Sequence, residues 1–156
     1  MRPVFSFSLI VVCLLATAAR ADENDKTKTK PAEKPQFTEK GHTIDKLELV
    51  QKRLKDKEAV LIDVREQDEW NEGHLKQAKL VPLSAIRKDQ ITKDMLKSLP
   101  KDKPIYCHCR SGGRVLVAFK YLKKKGYDIR PLQDGYENLL KAGFEKSEFA
   151  VPSPKE

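Results

Sequence analysis

Cysteine is scarce in this chain of 156 residues: Cys13, Cys107 and Cys109 are all it has. Cys13 sits in an apolar stretch at the amino end, which leaves two thiols for the remainder, separated by a single residue. Long apolar runs are also missing. The stretch Val4–Ala18 is shorter than the roughly 20 residues a spanning helix needs, so no stable membrane anchor is expected. No segment repeats, which excludes a stacked repeat array. Basic residues are not interleaved with aromatics, so no nucleic acid is expected as a partner. No second cluster of ligating side chains accompanies Cys107-His108-Cys109. Strand alternation would turn His108 away from both cysteines, and no metal site is expected there. The length suffices for one domain and not two.

What is present starts with an address. Arg2 is followed by the apolar stretch, broken only by Ser6, Ser8 and Thr17, and then by Ala19-Arg20-Ala21. Small residues stand where a signal peptidase reads. This predicts a signal peptide over 1–21 and an exported protein, periplasmic or secreted. Val12, before Cys13, is not the small residue that lipoprotein processing needs. Removing 1–21 takes Arg2 and Arg20 from the 31 basic residues, leaving 29 against 23 acidic ones, a formal charge of +6. That balance favours anionic ligands and also serves a solvated lysine-rich surface. Residues 22–42 are rich in Lys, Thr, Glu and Pro, with Phe37 the only large apolar side chain. They predict a flexible charged linker, because little can be buried to offset ordering. A disordered tail is expected over 150–156, and the folded unit over 43–149.

Within that unit the apolar pattern alternates between two periods. Ile44, Leu47, Val50 and Leu54 recur at helical spacing behind Thr43, a candidate N-cap. Ala59-Val60-Leu61-Ile62 is a continuous run that suits a buried strand. Glu66–Asn71 is expected to form a helical turn, Leu80-Val81 a brief strand, and Leu83–Lys88 a helix. Thr92 is expected to cap another short helix reaching Leu99. Pro104–His108 predicts a strand, Val115–Lys125 a helix stopped by Gly126, Asp128–Leu132 a strand, and Tyr136–Ala142 a helix closed by Gly143. Strand–helix alternation predicts an α/β domain with a central, mostly parallel sheet. Ligands of such sheets sit beyond the carboxyl ends of the strands, here the loops after Ile62 and after His108.

The second of these loops reads Cys109-Arg110-Ser111-Gly112-Gly113-Arg114. A cysteine at the start of a tight, glycine-permitted turn faces backbone amides and the start of a helix, which together form an anion-binding nest. Such surroundings favour the thiolate. Arg110 and Arg114 add forked donors for an oxyanion. Cys107 invites two readings. It shares a face with Cys109, but neighbours two apart in a strand need local distortion to form a disulfide. A buried strand cysteine is one reading; a redox partner that resolves an oxidised or persulfidated Cys109 is the other.

The whole pattern resembles the rhodanese family. The upstream segments are Leu61-Ile62-Asp63-Val64-Arg65-Glu66, Glu69-Trp70 and Gly73-His74-Leu75. The downstream ones are Gly126-Tyr127, Asp134-Gly135-Tyr136 and Ala142-Gly143-Phe144, and the likeness runs from Thr43 to about Phe144. It implies a three-layer rhodanese-like domain and a sulfurtransferase with Cys109 as the sulfur-carrying nucleophile. It further implies Arg110, Ser111, Gly112, Gly113 and Arg114 as the donor-binding loop, with Arg65 lining the pocket and Asp63 structural beside it. The implied partners are a small anionic sulfur donor, thiosulfate by default, and a thiol or cyanide acceptor, a protein thiol included. No cofactor is implied. His74 is expected to make a local hydrogen bond and Trp70 to sit in the core. Asp134 where a glycine is usual, Leu140 near a usual tryptophan, His108 where tyrosine is frequent and Val115 for a small hydroxyl residue depart from the pattern and bear on substrate preference.

Two alternatives stand beside sulfur transfer. A phosphatase of the same architecture has five residues between cysteine and arginine, and here Val115 stands at that spacing, which argues against it. A sulfur-relay or protein-binding module without turnover is the other, set against the intact cysteine and loop arginines.

Overall fold

Val60–Asp63 and Ile105–His108 are short runs rich in branched and aromatic side chains, the composition of strands covered on both faces. In the computed structural model, which describes residues 34–93, 95 and 99–148, they form β1 and β3 at the centre of a parallel sheet. Outside them lie β2 (Ala78–Leu80) and β4 (Ile129–Pro131), in the order β2-β1-β3-β4. Ile62 stands opposite Cys107, and Asp63 opposite His108.

Parallel neighbours need crossovers, and helices supply them: α1 (Leu47–Lys55), α2 (Gln67–Glu72), α3 (Leu83–Arg87), α4 (Gly113–Lys124) and α5 (Tyr136–Lys141). Successive strand residues face opposite sides, which divides the apolar interior in two. Leu61 and Tyr106 pack with Val50, Leu54 and Leu139 of α1 and α5. Ile62, Ile105 and Cys107 pack with Ile86, Ala118 and Leu122 of α3 and α4. The result is the expected three-layer α/β domain. Asp63 and His108 end the two central strands, fully buried and on the α1–α5 side with Leu61 and Tyr106.

Three expectations need correction. Thr43 does not cap α1. That helix starts at Leu47 behind Lys46, with no side-chain cap, and Ile44 lies outside it, 51% exposed. The Thr43 backbone is held elsewhere: its N–H donates to the Pro131 carbonyl at 2.7 Å, and it bridges antiparallel to Phe37. The flexible linker therefore does not extend to residue 42. Residues 36–44 fold back as a strap, closed by Thr38 N–H to His42 O (2.7 Å) and Ile44 N–H to Gln36 O (3.2 Å). One aromatic side chain suffices because α4 offers a seat: the Phe37 ring meets Phe119 edge-on at 5.3 Å. Trp70 is not core; α2 buries no residue, and Trp70 stacks on His74 at 3.7 Å.

The signal peptide, residues 22–33 of the linker and the tail lie outside the described residues. Thr92 Oγ1 accepts from Met95 N–H at 3.2 Å, as a cap would; residues 94 and 96–98 of that expected helix also lie outside.

Candidate active site

Cys109 follows the last residue of β3, and α4 begins four residues later. The turn between them is tight because Gly112 adopts φ +82, a conformation other residues resist. Close packing from behind reinforces the choice. A Cβ on Gly112 would stand 2.3 Å from the Gln133 carbonyl oxygen, and one on Gly135 only 1.9 Å from that of Arg110. The loop thus rests directly on the 133–135 backbone. Tyr136 N–H donates to the Cys109 carbonyl at 2.9 Å and fixes the first residue of the loop. Among the described residues, no turn, loop or cap carbonyl takes the amides of Arg110, Ser111, Gly112 or Gly113.

The Cys109 thiol itself is 1% exposed. Arg110, Ser111 and Gly113 are exposed around it, and Gly112 is buried. Arg114 reaches across to Glu69 of α2 with both arms of its guanidinium, Nη2 to Oε1 at 2.7 Å. The Arg114 bond holds the Glu69 carboxyl down to about 2, burial opposing it, and Glu69 in turn raises Arg114. Glu69 is fixed from its own side by a reciprocal capping box with Glu66.

Arg65, expected to line the pocket, is instead a buried brace at 5% exposure. Its Nε donates to Asp63 Oδ2 at 2.8 Å and its Nη2 to the Gly73 carbonyl at 2.8 Å, while the guanidinium lies 4.2 Å above the Tyr136 ring. Asp63 also accepts the Arg65 N–H at 3.0 Å, closing the turn after β1. His74 Nδ1 and the Trp70 carbonyl are 3.1 Å apart, a local contact. Cys107 is wholly buried on the α4 side of the sheet, its thiol pushed up by burial and, less, by Cys109; both thiols are free.

Three contributors escaped sequence reasoning. His42, in the strap, donates from Nε2 to the Gly112 carbonyl at 2.9 Å and so holds the loop from outside the folded unit as first drawn. Glu69 was visible only as part of a motif; the Glu66–Glu69 spacing announces a helix start, but nothing local announces Arg114. Among the described residues, neither ring nitrogen of the buried His108 meets a well-formed hydrogen bond, nor does the Tyr136 hydroxyl. A surface groove of about 370 Å³ among Lys57, Val60, Lys79 and Lys103 lies at the other end of the strands and is lined by no residue of the Cys109–Arg114 loop.

The family model for rhodanese-like domains matches residues 46–142. The chain is 35% identical over 97 residues to the probable adenylyltransferase/sulfurtransferase MoeZ of Mycobacterium tuberculosis, covering 62% of this chain and 24% of that one. It thus spans about a quarter of that relative's length. It is 35% identical over 80 residues to the putative sulfurtransferase YtwF of Bacillus subtilis, covering 51% and 72%. Among solved structures, protein hp1203 of Helicobacter pylori superposes with a TM-score of 0.51 at 32% identity, covering 64% and 87%. A cysteine-led cradle between β3 and α4, on this sheet and with this family match, places the chain among the rhodanese-like domains.

Proposed function

We propose that this protein is an exported sulfurtransferase that carries sulfane sulfur as a persulfide on Cys109. The observation that carries the reading is the loop Cys109–Arg114: a thiol at the mouth of a turn whose amides are taken by no turn, loop or cap carbonyl among the described residues, at the start of a twelve-residue helix. The amides and the helix start stabilise negative charge on sulfur. The sulfurtransferase names of MoeZ and YtwF support the same reaction class. Export rests on residues 1–21.

The chemistry runs in two steps. The Cys109 thiolate attacks the outer sulfur of the donor. A new S–S bond forms, and the donor's own bond to that sulfur breaks with its electron pair leaving on the departing anion, sulfite if the donor is thiosulfate. The persulfide anion then rests against the loop amides. A nucleophilic acceptor, cyanide or a thiolate, takes the outer sulfur and restores the Cys109 thiolate. Cys107, wholly buried, is not required in either step.

The test is sulfur transfer to cyanide by the reduced protein, beside Cys109→Ser and Cys107→Ser. Transfer, and a persulfide of 32 mass units seen by intact-mass measurement (about one sulfur atom), should be lost on the order of a thousandfold or more in Cys109→Ser and retained in Cys107→Ser. A wild type that forms no persulfide with thiosulfate, a thiosulfonate or an organic persulfide defeats the proposal.

A further inference from the structure

The start of α4 differs from the starts of the other helices. Before α1, α2, α3 and α5, the residue preceding the helix accepts the first helical bond. Val50 N–H donates to Lys46 O at 3.1 Å, Trp70 to Glu66 at 3.1 Å, Ile86 to Pro82 at 3.1 Å and Leu139 to Gly135 at 3.0 Å. Gly112 holds that position before α4. Among the described residues, no α4 amide gives its carbonyl a well-formed bond. The donor is instead His42 Nε2, at 2.9 Å, reaching in from the strap. A carbonyl only accepts, so Nε2 carries the proton. The other ring nitrogen, Nδ1, is buried with no partner among the described residues. The ring itself is well held. His42 N–H donates to Thr38 Oγ1 at 3.1 Å, its carbonyl accepts from Thr38 N–H at 2.7 Å, and Phe37 is seated on Phe119 of α4. His42 lies ahead of the residues that carry the family likeness.

A peptide unit is planar and trans, so its C=O and N–H point opposite ways. With the Gly112 carbonyl held toward the strap, the Gly113 N–H points away from it. Glycines stand on both sides of this peptide. Gly112 has φ +82, whereas Gly113 opens the helix outside the left-handed region. A half-turn of the peptide would carry Gly113 to a positive φ, which glycine tolerates. It would also present a carbonyl where an anion needs an N–H. We infer that His42 is a positioning residue of this site: resting on the sulfurtransferase reading, it holds the Gly112–Gly113 peptide with its N–H turned toward the sulfur-borne anion. His42 touches neither donor nor sulfur in this scheme and acts through the peptide alone.

The experiment follows single-turnover persulfide formation on Cys109 by intact mass, with whichever of the three donors above charges the wild type fastest. It compares the wild type, His42→Leu and His42→Gln. Glutamine sets an amide donor close to the place of the imidazole Nε2; leucine fills the space and donates nothing. His42→Leu should slow persulfide formation about tenfold or more, part of the roughly hundredfold that one lost oxyanion donor costs. His42→Gln should stay within about threefold of wild type. A second variant tests the turned peptide. The methyl of Gly113→Ala meets nothing within 4 Å but penalises a positive φ at that residue. In that background the loss on His42→Leu should shrink to about twofold. Wild-type rates in His42→Leu overturn the inference. So does His42→Gln falling as far as His42→Leu, which would make the packing of the strap and not its hydrogen bond what matters. A loss that keeps its full size in the alanine background overturns it as well. These outcomes leave the sulfurtransferase reading standing, whereas a wild type that forms no persulfide with any of the donors removes both.

Discussion

Two polar networks lie on the same face of the sheet, two residues apart along β3. Around Tyr106, every group meets a partner. Its hydroxyl donates to Asp45 at 2.5 Å and accepts from Arg53 at 2.6 Å; Arg53 also donates to Asp45 at 3.0 Å. Arg130 donates to Asp45 at 2.8 Å and to Asp128 at 3.1 Å, its guanidinium 5.9 Å above the Tyr106 ring. Burial and the Asp45 bond push the Tyr106 hydroxyl up to about 12. Around His108, by contrast, the Asp63 carboxylate stands 3.7 Å away and the Tyr136 ring 6.5 Å away, and neither makes a proper bond to it. Burial pushes the imidazole down to about 4, more than Asp63 pulls it up, so the ring is neutral. The saturated network pins the strap, α1 and β4 to the middle of the sheet. The unsaturated one lies directly under the reactive loop. The difference lies in what holds each ring: bonds to Asp45 and Arg53 fix Tyr106, whereas burial beside the Asp63–Arg65 pair keeps His108 neutral.

The sharpest way to break the contrast is Arg130→Met. It strands the Asp45 carboxylate with fewer partners and should cost about 3 kcal/mol or more in a urea titration. Gly135→Ala comes next: a methyl 1.9 Å from the Arg110 carbonyl forces loop and 133–135 backbone apart. It should cost about 2–3 kcal/mol and most of the persulfide-forming activity. Tyr106→Phe should cost about 1–2 kcal/mol by removing a bonded hydroxyl, while His108→Phe, which removes atoms that bond nothing well, should stay within about 1 kcal/mol of wild type. The same pair separates by pH. Unfolded, His108 takes a proton below the ordinary 6.5; folded, it refuses one until about 4. Its contribution is therefore whole above 6.5 and lost as pH falls toward 4. The urea midpoint should decline less steeply over that window in His108→Phe than in the wild type. His42→Ala should cost about 1 kcal/mol, read best as faster proteolytic cutting near the loop.

Most of the sheet was legible because its signals are local. Val60–Ile62 and Ile105–Cys107 are apolar without interruption, and Gly126 and Gly143 stop α4 and α5 at the expected places. The loop's composition also drew attention to Cys109 before any contact was known. What escaped depends on residues far apart in sequence. Thr43 looked like a cap because nothing nearby says that Pro131 needs its N–H. Phe37 looked isolated in a charged stretch because Phe119, its seat, lies 82 positions on. Arg65 and Arg114 both read as free donors of positive charge. Only the fold brings Glu69 to Arg114, and only the turn after β1 folds Arg65 back onto Asp63.

The depth of the Cys109 sulfur has a kinetic corollary. At 1% exposure it presents almost no target to a passing reagent. Alkylation then measures how often the rim parts, with the intrinsic reactivity of the thiol hidden behind that opening. A small haloacetamide and a bulky maleimide should diverge in rate far more here than on an open thiol. The ratio of the two serves as a clock for breathing of the loop.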